Sequence, residues 1–258
     1  MKSKFTLAID IGNTRTHLGI IDMEHLQCVA SRFVLSDVFR EQVVSTVLDI
    51  FERHDKSFCA QIVISSVIKK MAEITRVKLE ELFPEHVRIA RFSPSLPFQC
   101  KYKKPEHLGT DRIANALYGF TTNPGKNVIM ASAGTAITID LLHDGEFAGG
   151  AILPGVRTQF NSLKLSTDAL PEMSTDEIGE TVILPGMSTD ECIVAGVIYG
   201  AASATDRIVN ELNVVAGGDC ILLGTGGDWG LLSKYLMSDF CAIPDMTMIG
   251  TALFVNYM

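Results

Sequence analysis

The stretch Phe5-Thr-Leu-Ala-Ile-Asp10-Ile-Gly-Asn-Thr14-Arg-Thr-His-Leu-Gly-Ile-Ile21 sets the fold. Phe5 to Ile9 is a short apolar run, Asp10 to Arg15 is polar with one glycine, and Thr16 to Ile21 is largely apolar again, which reads as strand, loop, strand. A third run from Cys28 to Val34 adds another strand. The polar loop places a carboxylate at a strand end, then a glycine that lets backbone approach a ligand, then the neutral donors of Asn13 and Thr14. Such a loop suits phosphate oxygens, and Asp10 suits Mg²⁺ directly or through water. The same residues also build an ordinary Asx-type turn.

Downstream, apolar groups at Val43, Val44, Val47, Leu48 and Phe51 predict a helix over 38–51, Ile62 to Ser65 a buried strand, Lys69 to Leu82 a second helix and Val87 to Ala90 a strand. The order is β-β-β-α-β-α-β. Thr121-Thr-Asn-Pro-Gly-Lys126 is the clearest linker signal. After it the opening pattern returns: apolar Val128 to Ala131, the small loop Ser132-Ala-Gly-Thr135, the run Ile137 to Leu142, a hairpin turn at His143-Asp-Gly-Glu146, and Phe147 to Ile152. Helices over 190–212 and 248–257 and a strand over 221–223 follow. The chain thus presents strand, small-residue loop and hairpin twice, once in each half. Two such halves would face a nucleotide from both sides, although paired glycine hairpins also suffice as a description.

Two further loops carry polar chemistry. Gly109-Thr-Asp-Arg112 precedes Ile113, Leu117 and Phe120, which fit a helix. Thr110 or Asp111 serves either as its N-cap or, for Asp111, as the acceptor of a substrate proton, with Arg112 or the helix terminus binding an anionic group. Leu223-Gly-Thr-Gly-Gly-Asp228 follows a strand, and its glycines admit close approach of an adenine or ribose or simply make a strand-to-helix turn.

Composition narrows the classes. With 258 residues, 47% hydrophobic and 20% charged, the chain supports one large domain or two modest ones. Acidic residues outnumber basic ones, 30 to 22, for a net charge of −8, which argues against nucleic-acid binding by phosphate neutralisation. The cysteines at 28, 59, 100, 192, 220 and 241 form no metal-ligand spacing and read as reduced thiols. Met1 to Lys4 run directly into an apolar strand without the pattern of a secretory leader, and no run reaches the roughly 20 apolar residues of a membrane span. A cytoplasmic protein is the expectation.

The ordered loops resemble those of the type III pantothenate kinases, in the acetate and sugar kinase, heat-shock ATPase and actin superfamily. The matching segments are Asp10 to Thr14 with its hairpin, Ile64-Ser-Ser-Val67, Tyr102 to Asn115, Gly134-Thr-Ala-Ile-Thr-Ile-Asp140, Gly149 to Gly155, Thr167-Asp-Ala-Leu-Pro171, Ser188-Thr189 with Gly196 and Gly200, and Gly226-Gly227. Gly109 to Arg112 is the specific one. The resemblance implies an α/β chain of two actin-like (ribonuclease H-like) domains with a nucleotide cleft between them. An N-terminal domain over 1–120 would carry the first phosphate loop and the pantothenate segment. A C-terminal domain over 121–258 would carry the second phosphate loop and the adenosine-side glycines.

It further implies ATP-dependent phosphorylation of pantothenate, the first step toward coenzyme A. By position, Asp10, Ile11, Gly12, Asn13, Thr14, Arg15, Thr16 and His17 form the first phosphate loop, Thr135 belongs to the second, and Gly226 and Gly227 complete the ATP site. Tyr102, Gly109, Thr110, Arg112 and Thr189 fall where the family binds pantothenate, with Asp111 as proton acceptor. Family members are homodimers requiring Mg²⁺ and a monovalent cation, K⁺ or NH₄⁺. This chain has Ser132 where many members have an aspartate for that cation. A hydroxyl is the poorer hard-cation ligand, so weaker potassium binding is expected. The alternatives are a nonenzymatic regulatory protein that keeps the fold, or a kinase for another small hydroxy acid. Asp10, Asp111 and Arg112 together favour the kinase over the regulator, and the Tyr102 to Arg112 segment favours pantothenate as its substrate.

Overall fold

The computed structural model describes residues 4–54, 59–167, 170–175, 178–179 and 181–258. Met1 to Ser3 of the leader reading, and Asp168 and Ala169 within the Thr167 to Pro171 match, lie outside the described residues. The chain divides into two compact units: Met1–Gly125 with Gly145–Phe147 and Asp245–Met258, and Lys126–Asp144 with Ala148–Pro244.

The first unit is built on a five-stranded sheet of β1 (Phe5–Ile11), β2 (Arg15–Asp22), β3 (Gln27–Leu35), β4 (Cys59–Ser66) and β5 (Val87–Ile89), in the order β3-β2-β1-β4-β5. The first three strands are antiparallel, whereas β4 runs parallel to both β1 and β5. One face of the sheet, through Leu7, Ile9, Ile11, Leu18, Ile62 and Ile64, buries itself with residues of α1 (Ser36–Glu41), α2 (Val43–Arg53) and α3 (Lys69–Glu80). On the sheet also lie α4 (Thr110–Thr122) and the C-terminal α8 (Met246–Leu253), which contact each other and β4. Gly250 sits so close to α4 that a Cβ there would collide with the Ala114 carbonyl oxygen.

The helix expected over 38–51 is two helices. Gln42 leaves the helical region at φ −116°, ψ 31°, and ends α1 before α2 begins. The break rotates the apolar face: Val43, Val47, Ile50 and Phe51 are buried, whereas Leu48 is exposed. α4 begins at Thr110, a turn earlier than its apolar residues announce, because Gly109 provides its N-terminal boundary in extended geometry. The two-residue strand β6 (Gln99–Cys100), which the sequence pattern does not announce, pairs in parallel with Glu146 and Phe147.

The second unit holds β7 (Val128–Ala133), β8 (Ala136–His143), β9 (Glu146–Pro154) from Ala148 onward, β10 (Ile221–Thr225) and β11 (Cys241–Ala242), with neighbours in the order β11-β10-β7-β8-β9. The expected hairpin turn joins β8 to β9: Asp144 and Gly145 both have positive φ, 50° and 74°, the combination a type I′ turn requires. β7 and β8 are antiparallel and β10 runs parallel to β7. This repeats the relation of β1, β2 and β4, so the duplicated pattern in the sequence is a duplicated strand arrangement.

Flanking helices are α5 (Val156–Ser166), α6 (Thr189–Val215) and the short α7 (Trp229–Leu232). α6 is long and apolar enough, by length and composition, to cross a membrane. Its residues Ile193, Val197, Ile198 and Ala201 are instead buried, packing with β7, β8, α5 and the 182 region. That apolar face is therefore core.

Candidate active site

Asp10 is the next-to-last residue of β1, where strand register sets it opposite His17 of β2 and Ser65 of β4. The Ser65 hydroxyl donates to Asp10 Oδ1 at 2.9 Å and shares a 3.0 Å hydrogen bond with the Thr110 hydroxyl, which also accepts the Ser66 backbone N–H at 3.1 Å. A chain of side chains thus runs from the end of β1 across β4 to the first residue of α4. Ser66, whose own hydroxyl donates to the Ile11 carbonyl at 3.1 Å, fixes the strand end on the other side.

Asp111 follows Thr110. Its carboxylate folds back beside Gly109, where a Cβ would strike Oδ1, and accepts the backbone N–H groups of Arg112 and of Asp111 itself. Burial raises its affinity for a proton, and those N–H groups with the Arg112 guanidinium oppose the rise. Burial, and next the charge of Asp111, push Asp10 up to about 7, against the Ser65 hydrogen bond that favours the ionised form. Two carboxylates that sense each other in a partly dry place are a common arrangement for cation binding and proton transfer. Neither Thr110 nor Asp111 is the N-cap: Gly109 holds that position without a side-chain cap, Thr110 turns its hydroxyl to β4, and Asp111 lies in the first turn beside its N–H groups.

The loop between β1 and β2 is braced from a distance. Gly12 N–H donates to the Arg15 carbonyl at 3.1 Å, and a Cβ at Gly12 would lie 2.9 Å from that oxygen. Ser36 donates its hydroxyl to the Gly12 carbonyl at 2.8 Å and its N–H to the Thr14 carbonyl at 3.0 Å, and bonds the Thr16 hydroxyl at 3.1 Å. Asn13, Thr14 and Arg15 remain exposed, whereas the Ile11 and Thr16 side chains are buried, so those two offer only backbone to a ligand at the loop. The His17 ring stacks on Phe33 with centroids 3.8 Å apart, and burial lowers its pKa to about 4, which keeps it neutral at physiological pH.

Arg112 is buried, its guanidinium 5.6 Å from the Tyr102 ring centroid and 5.8 Å from that of Phe147. The aromatic pair orients the fork by cation–π contact. Phe147 reaches this position through β6 pairing, a link 35 residues downstream of Arg112 that no local motif signals.

In the second unit, Ser132 is the next-to-last residue of β7, opposite Thr138 of β8 and Thr225 of β10. The loop after it is held by main chain. Gly134 N–H donates to the Ala136 carbonyl at 3.0 Å, and the Thr135 carbonyl accepts the Gly155 N–H at 3.0 Å and the Thr158 hydroxyl at 2.6 Å. A Cβ at Gly155 would collide with the Gly134 carbonyl oxygen. Gly226, at φ 103°, lies so near Ala133 that its own Cβ would collide with that residue's carbonyl, while Gly227 is open. Thr135 is exposed, as is Thr189, the first residue of α6.

Sequence reasoning assigned no role to Ser36, Ser65, Ser66 or Phe147. The serine pair carries a readable signal, two hydroxyls at the end of a buried strand. Ser36 has none, because its partners come from another strand pair.

Comparison with known proteins bears on this arrangement. A family model described as type III pantothenate kinase matches residues 6–211. A type III pantothenate kinase of Legionella pneumophila (strain Paris) is 29% identical over 253 residues, 96% of each chain. One of Porphyromonas gingivalis (strain ATCC 33277) is 32% identical over 163 residues, 63% of this chain and 66% of that protein, so the alignment spans about two thirds of that relative. Among solved structures, a ROK family glucokinase from Streptomyces griseus in complex with glucose and AMPPNP superposes with a TM-score of 0.57 at 12% identity, covering 97% of this chain and 98% of that one. At that identity the likeness shows the fold alone, that of the actin-like sugar kinases.

Proposed function

The chain belongs to the type III pantothenate kinase family, enzymes that phosphorylate pantothenate in coenzyme A biosynthesis, and we propose that it performs this transfer with Asp111 as proton acceptor. The observation that supports Asp111 in this role is its charge felt at partly buried Asp10, whose carboxylate is tied through the Ser65 hydroxyl to Thr110, the residue before Asp111. In the step, the substrate's primary hydroxyl oxygen bonds to the γ-phosphorus, the bond from phosphorus to the bridging β–γ oxygen breaks, ADP leaves, and the hydroxyl proton passes to an Asp111 oxygen.

Phosphoryl transfer asks mostly for positioning and charge stabilisation. Backbone and side-chain donors of the Asp10 to His17 loop would hold ATP phosphates. By their place in the family pattern, Thr135, Gly226 and Gly227 are the nucleotide residues of the second unit. Arg112, its plane set by Tyr102 and Phe147, suits two parallel hydrogen bonds to the carboxylate of pantothenate. Gly109, Thr110 and Thr189 complete the acceptor contacts.

Asp10 fits Mg²⁺. A carboxylate pushed up to about 7 by burial and by a second carboxylate is one that a cation would return to its ionised form. Mg²⁺ supplies neutralisation of phosphate charge when bound. A monovalent cation, K⁺ or NH₄⁺, would find at Ser132 a neutral oxygen where many family members offer a carboxylate, so weak activation by potassium is part of the proposal. Homodimerisation rests on the family. A cytoplasmic location agrees with the free cysteines at 28, 100, 192, 220 and 241 among the described residues.

The test is a coupled assay of purified protein with ATP, Mg²⁺ and pantothenate, with and without K⁺ or NH₄⁺, and with mass-spectrometric detection of 4′-phosphopantothenate. Product with little potassium dependence is expected. No product under any cation condition rejects the catalytic reading.

A further inference from the structure

The segment leading into α6 is held in an unusual way. Val182 is 5% exposed, and both of its backbone groups are taken by tyrosines: its N–H donates to Tyr235 Oη at 2.9 Å and its carbonyl accepts from Tyr199 Oη at 3.3 Å. The two rings meet edge to face, with centroids 5.3 Å apart. At the other end, Gly186 lies against the start of α6 so closely that a Cβ would be 2.6 Å from the Cys192 nitrogen, and its carbonyl accepts the Cys192 thiol at 3.4 Å. Met187 N–H donates to the Glu191 carboxylate at 2.6 Å, and the Ser188 hydroxyl accepts the Glu191 N–H at 3.2 Å, a reciprocal cap.

Between these two anchors the segment has little burial to hold it. Ile183 and Leu184 are 58% and 65% exposed. The anchors therefore carry the order of the segment. Removing the one at Val182 leaves a buried N–H and a buried carbonyl unpaired, which is the costly way to lose a hydrogen bond.

We propose that Tyr199 and Tyr235 are positioning residues for the acceptor substrate: they fasten residues 181–188 as a strap over the first turn of α6 and so fix Thr189. Thr189 is exposed, and its hydroxyl makes no hydrogen bond to another described residue. Its direction thus follows from the helix start, where the strap ends in the Ser188 and Glu191 cap. The proposal rests on the reading of Thr189 as a pantothenate contact.

Steady-state kinetics of Tyr199→Phe, Tyr235→Phe and the double variant test it, with Thr189→Val and Thr189→Ser as references. The phenyl rings keep the core packing, and each single variant keeps one of the two anchors should the double variant not fold. The expected result is a KM for pantothenate raised roughly tenfold in the double variant and less in each single one, with kcat and the KM for ATP unchanged. Thr189→Ser, which keeps the hydroxyl, should raise the KM for pantothenate less than Thr189→Val does. An unchanged pantothenate KM in all tyrosine variants, while Thr189→Val raises it, overturns the strap alone. A fall in kcat, or an equal rise in both KM values, also overturns it, since that is damage to the unit as a whole. An unaffected Thr189→Val removes the substrate contact itself, and the proposal with it.

Discussion

Asp10 and Ser132 occupy the same place in two copies of one arrangement, yet the sites around them are made of different material. Each is next to last in the first strand of its repeat, between an antiparallel and a parallel neighbour: His17 and Ser65 for Asp10, Thr138 and Thr225 for Ser132. In the first repeat the strand end feeds a chain of functional groups, Asp10, Ser65 and Thr110, at the helix start that also carries Asp111. In the second it feeds a loop shaped by main chain, with Gly155 and Gly226 pressed against the carbonyls of Gly134 and Ala133. One topology delivers charge in one half and shape in the other. The first region should be vulnerable to loss of a group without change of size, the second to gain of a methyl without change of chemistry.

The largest expected effect lies in the first region. Asp111→Asn keeps the size of the side chain and removes its charge, and should lower kcat by about 10²- to 10⁴-fold in the coupled assay with no loss of melting temperature. If Asp111 only served the first-turn N–H groups of α4, asparagine would replace it and turnover would persist.

Gly155→Ala probes the opposite vulnerability. The added methyl meets backbone on a loop that cannot give way, so stability should fall by about 1–3 kcal/mol in thermal or urea unfolding while the folded fraction retains its kcat. A kcat loss without destabilisation would erase the distinction between the regions.

Thr110→Val, again nearly isosteric, cuts the link to Ser65 and leaves the Ser66 N–H unpaired; a reduction of kcat/KM of about tenfold is expected. The smallest effect concerns Asp10 in the ligand-free protein. Its folded pKa of about 7 stands above the ordinary 3.8, so its contribution to stability is fully present below pH 4 and is lost as pH rises through 7. Asp10→Asn, neutral at every pH, should therefore melt a few degrees above the wild type at pH 8, and the difference should shrink at pH 5. A constant difference across that range would mean that Asp10 is ionised throughout.

Much of this was legible because it is local. Short apolar runs around a small polar loop announced β1, β2, β7 and β8, and Asp-Gly announced the turn at 144 and 145. Gly109 to Arg112 announced both a helix start and a charged site. What escaped depends on distant pairing. Ser36 reaches the Gly12 loop only because β3 lies beside β2, and Phe147 reaches Arg112 only because β6 finds the start of β9. The break at Gln42 is invisible in an apolar spacing that continues across it, since burial of Phe39 and Val43 from two helices satisfies the same count as one.

The position of α8 bears on how the molecule comes into being. Residues 245–258 complete the unit to which residues 1–125 belong, with Gly250 seated on Ala114 of the helix that starts at Thr110. A ribosome therefore finishes translating the second unit before the first can close. A nascent chain stalled anywhere short of Met246 leaves α4 without its partner helix, so interrupted synthesis should yield proteolytic substrate rather than a partly competent kinase.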